Sequence, residues 1–89
     1  MTERYSVQFR PSAEKTLDKL DKQARVRILR NIAALAGDPR PSGVKALSGE
    51  HGLWRIRVGD YRVVYEIQDR ELVVLVLRVA HRREVYRRR

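Results

Sequence analysis

No cysteine occurs in the 89 residues, which removes disulfide staples, thiolate zinc sites and cysteine nucleophiles. Histidine occurs twice, as His51 and His81, too few for a histidine metal site. Acidic residues are the minority, eleven against twenty Lys and Arg, and they lie scattered, unlike the clustered carboxylates that hold catalytic metal pairs. There is no glycine-rich loop ending in lysine and no nucleophile elbow, so two common catalytic frameworks drop out. The longest apolar run is six residues, 72–77, against the ~20 that a bilayer-spanning helix needs. The first ten residues mix charge with single apolar side chains, so no secretory leader is expected. These absences predict one domain over residues 1–89, cytoplasmic, without membrane association and without cofactor or metal.

What is present is positive charge. The formal balance is +9, and sixteen of the twenty basic residues are arginine. Residues 78–89 alone hold six arginines and one acid, Glu84. A balance this basic predicts a polyanionic partner, either nucleic acid or an acidic protein, with a merely solubilising surface as the plain alternative. Arginine in particular suits phosphate, because its planar fork can bind two oxygens at once.

Periodicity then sorts the chain. Tyr5, Val7 and Phe9 alternate with polar residues as in a half-buried strand. Pro11 ends that strand, and Ser12 is placed to cap a short helix carrying Ala13, Leu17 and Leu20 on one side. Asp21 can cap a second helix over 22–36, with Ile28, Leu29, Ile32, Leu35 and Ala36 inward and Gly37 as its C′ residue. A long loop over 38–53 follows, and then strands over 54–58, 61–67 and 72–79. Gly59-Asp60 is a two-residue hairpin turn, and Asp69-Arg70 makes the next. The expected order is β-α-α-β-β-β: an α+β domain with a four-stranded, mostly antiparallel sheet and a helical hairpin on one face.

The Gly59-Asp60 turn sets a register. It opposes Val58 to Tyr61, Arg57 to Arg62, Ile56 to Val63 and Trp54 to Tyr65. One face, the expected core, then carries Trp54, Ile56, Val58, Tyr61, Val63, Tyr65, Ile67, Leu72, Val74 and Val76, with Trp54 beside Tyr65 and Phe9. The other face carries Arg55, Arg57, Arg62, Val64, Glu66, Val73, Leu75 and Leu77. Two arginines directly opposed across a hairpin repel each other by a few tenths to about 1 kcal/mol. That pair beside an apolar floor reads as an anion site, unless Glu66 or Glu84 neutralises it. His51, in a Gly-Glu-His-Gly stretch, reads as a solvated loop residue. His81, among Arg82, Arg83 and Tyr86, offers neutral imidazole as a base. Tyr86 is either an anchor for the C-terminal segment or a platform on which a base stacks.

Leu47-Ser48-Gly49, the block Gly52-Leu53-Trp54-Arg55-Ile56-Arg57-Val58-Gly59-Asp60-Tyr61-Arg62-Val63-Val64-Tyr65, and the closing His81-Arg82-Arg83-Glu84-Val85-Tyr86 resemble the RelE/ParE superfamily of toxins from type II toxin–antitoxin pairs. The resemblance spans the chain in element order. Within that superfamily the RelE branch cuts messenger RNA in the ribosomal A site, whereas the ParE branch inhibits DNA gyrase and cuts nothing. Matched to the RelE pattern, Arg57, Arg62, Arg82 and Tyr86 take catalytic roles and Arg55 binds RNA; Lys45 and Arg83 are expected to bind RNA beside it, and His81 to supply as a proton carrier the acid–base capacity that lysines would otherwise give. Arg55 and Arg57 stand where the branch usually has lysines. They clamp phosphate more firmly than lysine but exchange protons poorly. The spacing from Arg82 to Tyr86 is also shorter than in the RelE pattern. The resemblance further implies a cognate acidic antitoxin, a monomeric free toxin and a higher-order toxin–antitoxin complex. A non-enzymatic nucleic-acid-binding module is the remaining alternative.

Overall fold

The computed structural model describes residues 4–47 and 52–81. The alternation of Val7 and Phe9 with polar neighbours becomes β1 (Ser6–Phe9), exposed and half-buried in turn. Pro11 does more than stop this strand: it is the first residue of α1 (Pro11–Lys19), where a missing N–H costs nothing. The residue before it, Arg10, is therefore the cap, and it caps without a side-chain hydrogen bond. Ser12, expected as the cap, lies inside the first turn, and its hydroxyl donates to the Leu77 carbonyl at 3.1 Å.

Asp21 caps α2 (Lys22–Ala34) as expected, its carboxylate accepting from the Ala24 N–H at 3.3 Å. Ile28, Ile32 and Leu35 form the buried stripe, each 1% exposed. Leu29, expected with them, is 37% exposed, because one residue on from Ile28 is a 100° turn away from the sheet. Leu35 and Ala36 are buried but lie past the end of the helix. Gly37 keeps φ out of the left-handed region, so the helix closes by a tightened last turn in which Gly37 N–H donates to Ala34 O, and not by a glycine cap.

The expected long loop contains a short strand, β2 (Lys45–Ala46), that pairs antiparallel with β3 (Leu53–Val58). β4 (Tyr61–Gln68) and β5 (Val73–His81) complete the sheet, whose order is β1-β5-β4-β3-β2. The fold is α+β with five strands, one more than expected. Its pairings are antiparallel except that of β1 with β5, which is parallel. The β3–β4 register agrees with the expectation pair for pair, from Trp54 opposite Tyr65 to Val58 opposite Tyr61. Gly59, at φ +59°, supplies the left-handed residue of that turn. The β4–β5 connection is longer than the expected Asp69-Arg70 turn. Gln68 pairs with Val73, and Leu72, expected to open the strand, lies in the turn at φ +56°.

The core lies between the helices and one sheet face. Ala13, Leu17, Ile28, Ile32 and Leu35 pack onto Ile56, Val58, Val63, Tyr65, Ile67, Val74, Val76 and Val79. Truncating a buried Ile or Leu of this set to Ala costs about 2–5 kcal/mol, a large share of the stability of a small domain. Trp54 packs against the core only half-buried. β4 and β5 separate its strand from β1, so Phe9 is not its neighbour.

Candidate nucleic-acid interface

The outer face of the sheet is organised by one irregularity. Val64 pairs with Arg78, but the next residue, Tyr65, pairs with Val76. Leu77 is therefore an extra residue on β5, a β-bulge. An extra residue reverses the alternation of everything that follows. Without it, Arg78 would follow Val74 and Val76 into the core, where an arginine is costly. With it, Val79 turns inward at 3% exposure and Arg78 turns outward.

Two rows of side chains then cross the strands on the outer face. Lys45 is opposite Arg55, Arg55 opposite Val64, and Val64 opposite Arg78. In the adjoining row Arg57 is opposite Arg62, and Arg62 opposite Ala80. Arg55, Arg62 and Arg78 line one small cavity of 180 Å³, floored by Leu47, Val64 and Ala80. Arg62 is 8% exposed, the single buried charged residue among the described residues. Arg55 and Arg78 make no ion pair among the described residues, where the one salt bridge joins Arg40 to Asp69. Guanidinium groups converging on an apolar floor favour an oxyanion, because a low local dielectric strengthens each charge-assisted hydrogen bond.

The sequence-predicted residues distribute unevenly over this site. Arg55, Arg62 and Lys45 belong to it. Arg57 is exposed at the edge of β3 beyond β2 and borders a second cavity of 570 Å³ with Asn31, Asp38 and Ser42. His81 is opposite Tyr61, edge-on to its ring at 5.1 Å, which puts the imidazole on the sheet face opposite Arg62. Arg82, Arg83 and Tyr86, like His51, lie outside the described residues. Arg78 was not among the expected site residues. Its signal was legible all the same: an unbroken alternation from Val74 would have buried it.

A second cluster holds the loop before β2 in place. Arg40 reaches Asp69 with both terminal nitrogens, Nη2 to Oδ2 at 2.8 Å and Nη1 to Oδ1 at 3.3 Å. Tyr5 donates its hydroxyl to Asp69 Oδ1 at 2.7 Å, and the Arg40 guanidinium carbon stands 5.1 Å from the centre of the Trp54 ring. The Arg40 and Tyr5 hydrogen bonds hold the Asp69 carboxyl below the usual carboxylate range, and the Tyr5 hydroxyl is raised in return. Beneath the loop Tyr65 is fully buried and donates to the Pro39 carbonyl at 2.7 Å; burial pushes its hydroxyl up to about 12. Among the described residues no group of three or more His, Asp or Glu is placed to hold a metal, and no helix is long and apolar enough to cross a membrane.

Known proteins share both the sequence and this architecture. The family model for the ParE toxin of type II toxin–antitoxin systems (parDE) matches residues 7–86. Toxin RelG of Mycobacterium tuberculosis is 32% identical over 85 residues, covering 94% of this chain and 98% of the relative. A chain in the crystal structure of the archaeal RelE–RelB complex from Pyrococcus horikoshii superposes with a TM-score of 0.80 at 31% identity, over 89% of this chain and 96% of that one. One in the toxin–antitoxin complex RelBE2 of Mycobacterium tuberculosis does so at 0.80 and 30% identity, over 91% and 94%.

Proposed function

The chain belongs to the RelE/ParE superfamily, the toxins of type II toxin–antitoxin systems, and from that premise we propose that it is a ribosome-dependent messenger-RNA endonuclease of the RelE kind. The observation that carries this reading is the outer sheet face, where Arg55, Arg62 and Arg78 converge on a cavity with Lys45 and Arg57 alongside. The RelE and RelG names of its relatives support the same branch.

The reaction is an internal transphosphorylation that needs no metal. The 2′-oxygen of one nucleotide bonds to the adjacent phosphorus and the bond from phosphorus to the 5′-oxygen breaks, leaving a 2′,3′-cyclic phosphate and a 5′-hydroxyl. The proton of the 2′-hydroxyl goes to a base, and the departing 5′-oxygen takes one up. The protein's part is to align the two oxygens in line, to offset the charge on the equatorial oxygens and to move protons. Arg57, Arg62 and Arg82 offset the charge. Arg55, Lys45 and Arg83 hold the RNA backbone, and Tyr86 stacks on a base. His81 carries the proton from the end of β5, where the chain runs on to Arg82. So small a domain has little surface for choosing a sequence, so the ribosome presents the substrate in its A site. The cognate antitoxin is an acidic chain that covers the arginine face. The free toxin is monomeric and its complex of higher order.

Ribosomes programmed with a defined messenger and treated with the purified toxin should yield a 5′-hydroxyl fragment end within the A-site codon. A supercoiling assay with gyrase runs beside it, because the ParE name of the matching family model favours the gyrase-inhibitor reading. Inhibited supercoiling with intact messenger would replace the proposal with that reading. Binding to free RNA with neither effect would leave a non-enzymatic binding module.

A further inference from the structure

The row Lys45–Arg55–Val64–Arg78 runs at right angles to the strands, and its outer member exists only because Leu77 is an extra residue. Successive strands are about 4.8 Å apart, so this row spans roughly 14 Å across four strands, from Lys45 on β2 to Arg78 on β5. Three cations on such a line fit a chain of regularly spaced anions better than a single carboxylate. The floor between the cations is apolar, Val64 and Ala80, the second only 3% exposed, which lowers the local dielectric and strengthens each charge-assisted contact above it.

We propose that Arg78 is an RNA-positioning residue: with Arg55 and Lys45 it forms a track that seats successive phosphates of a single-stranded RNA backbone laid across the sheet, and the bulge at Leu77 is the device that brings it there. The backbone lies along the row between β2 and β5, passing over the Arg62 side of the cavity, so the phosphates on either side of the reacting one rest on Arg55 and Arg78. This rests on the endonuclease reading for the identity of the polyanion, but the binding it describes does not require cleavage.

The test measures binding of a fluorescent single-stranded RNA oligonucleotide carrying 2′-O-methyl groups, which cannot be cut by attack of the 2′-oxygen, over a series of salt concentrations without ribosomes. Arg78→Gln should weaken binding about tenfold, the scale of one hydrogen-bonded charged contact. It should also lower the steepness of log K against log salt by about 0.7, the value for one phosphate of a single strand. Arg78→Lys should restore the salt slope, since it restores the charge. Arg30→Gln, the same loss of charge on the exposed face of α2, should change neither quantity. Equal effects of Arg78→Gln and Arg30→Gln would overturn the proposal, because they describe net charge and not a track. So would unchanged binding for Arg78→Gln while ribosomal cleavage by the wild type persists. If the wild type cuts nothing on ribosomes but Arg78→Gln still loses affinity and slope, the track stands and the endonuclease reading fails alone.

Discussion

Arg40 grips Asp69 with both guanidinium nitrogens, at 2.8 and 3.3 Å, and so ties the loop before β2 to the turn between β4 and β5. The ion pair itself is open to solvent, its side chains 42% and 54% exposed, and pairs of that kind are worth little. The guanidinium is also stacked at 5.1 Å on Trp54, and that contact does not depend on the carboxylate.

Arg40→Ala should therefore destabilise the protein by about 0.5–1 kcal/mol, the scale of an exposed cation–π contact. Asp69→Asn should cost less. Urea unfolding of both variants checks the order. A larger loss for Asp69→Asn would mean that the ion pair, and not the ring, anchors the loop. The Asp69 carboxyl titrates below its ordinary value in the fold. Its contribution is therefore present above the unfolded value and is lost as pH falls through the lowered one. Asp69→Asn should flatten the acid limb of the stability profile.

Tyr65 should govern the alkaline limb. Its hydroxyl is pushed from the ordinary 10 up to about 12 by burial, so the unfolded chain ionises first as pH rises. The resulting stability is complete below pH 10 and is lost between about 10 and 12. A shift of that size corresponds to about 2–3 kcal/mol. Tyr65→Phe should cost about 1 kcal/mol near neutral pH, for the bond to Pro39 O, and should remove much of the decline above pH 10. Wild-type and variant curves that stay parallel up to pH 12 would contradict this.

Arg57 separates catalysis from folding because it is exposed. Arg57→Gln should leave the thermal midpoint nearly unchanged, since exposed substitutions stay within about 0.5 kcal/mol. It should lower single-turnover cleavage on ribosomes by roughly 10²–10³-fold, the scale of one preorganised donor. Arg55→Gln should act mainly on binding. Equal, modest losses at both positions would describe a surface that only binds.

His81→Ala tests proton transfer. The expected result is a changed pH–rate profile, with a thermal destabilisation that includes what the edge-on contact with Tyr61 contributes, about 0.5–1.5 kcal/mol. A wild-type rate that rises smoothly to high pH, and the same profile in the variant, would remove the imidazole from the mechanism and leave the arginines in place.

Local chemistry determined much of this protein before any tertiary contact. Asp21 caps α2 through its own side chain, and Gly59-Asp60 admits one hairpin geometry, which carries the whole β3–β4 register with it. The opposition of Arg57 to Arg62, and the sharing of one face by Arg55 and Arg62, follow from that turn alone because side chains alternate with period two. The pattern of the Trp54–Tyr65 block likewise carried the family. Tertiary structure decided what depends on partners distant in sequence. That β1 lies parallel beside β5 depends on pairing Ser6 with Val73 and Phe9 with Val76, residues from opposite ends of the chain. Lys45 and Ala46 are a strand only because β3 offers them an edge. Leu29 points outward because the sheet, not the helix, determines how wide the buried stripe can be. The bulge at Leu77 belongs to the same class. Burying Val79 and sparing Arg78 from the core can both be satisfied only by an extra residue on β5, a conflict that arises once the helices cover one face. That conflict, resolved in three dimensions, delivers Arg78 to the cavity of Arg55 and Arg62.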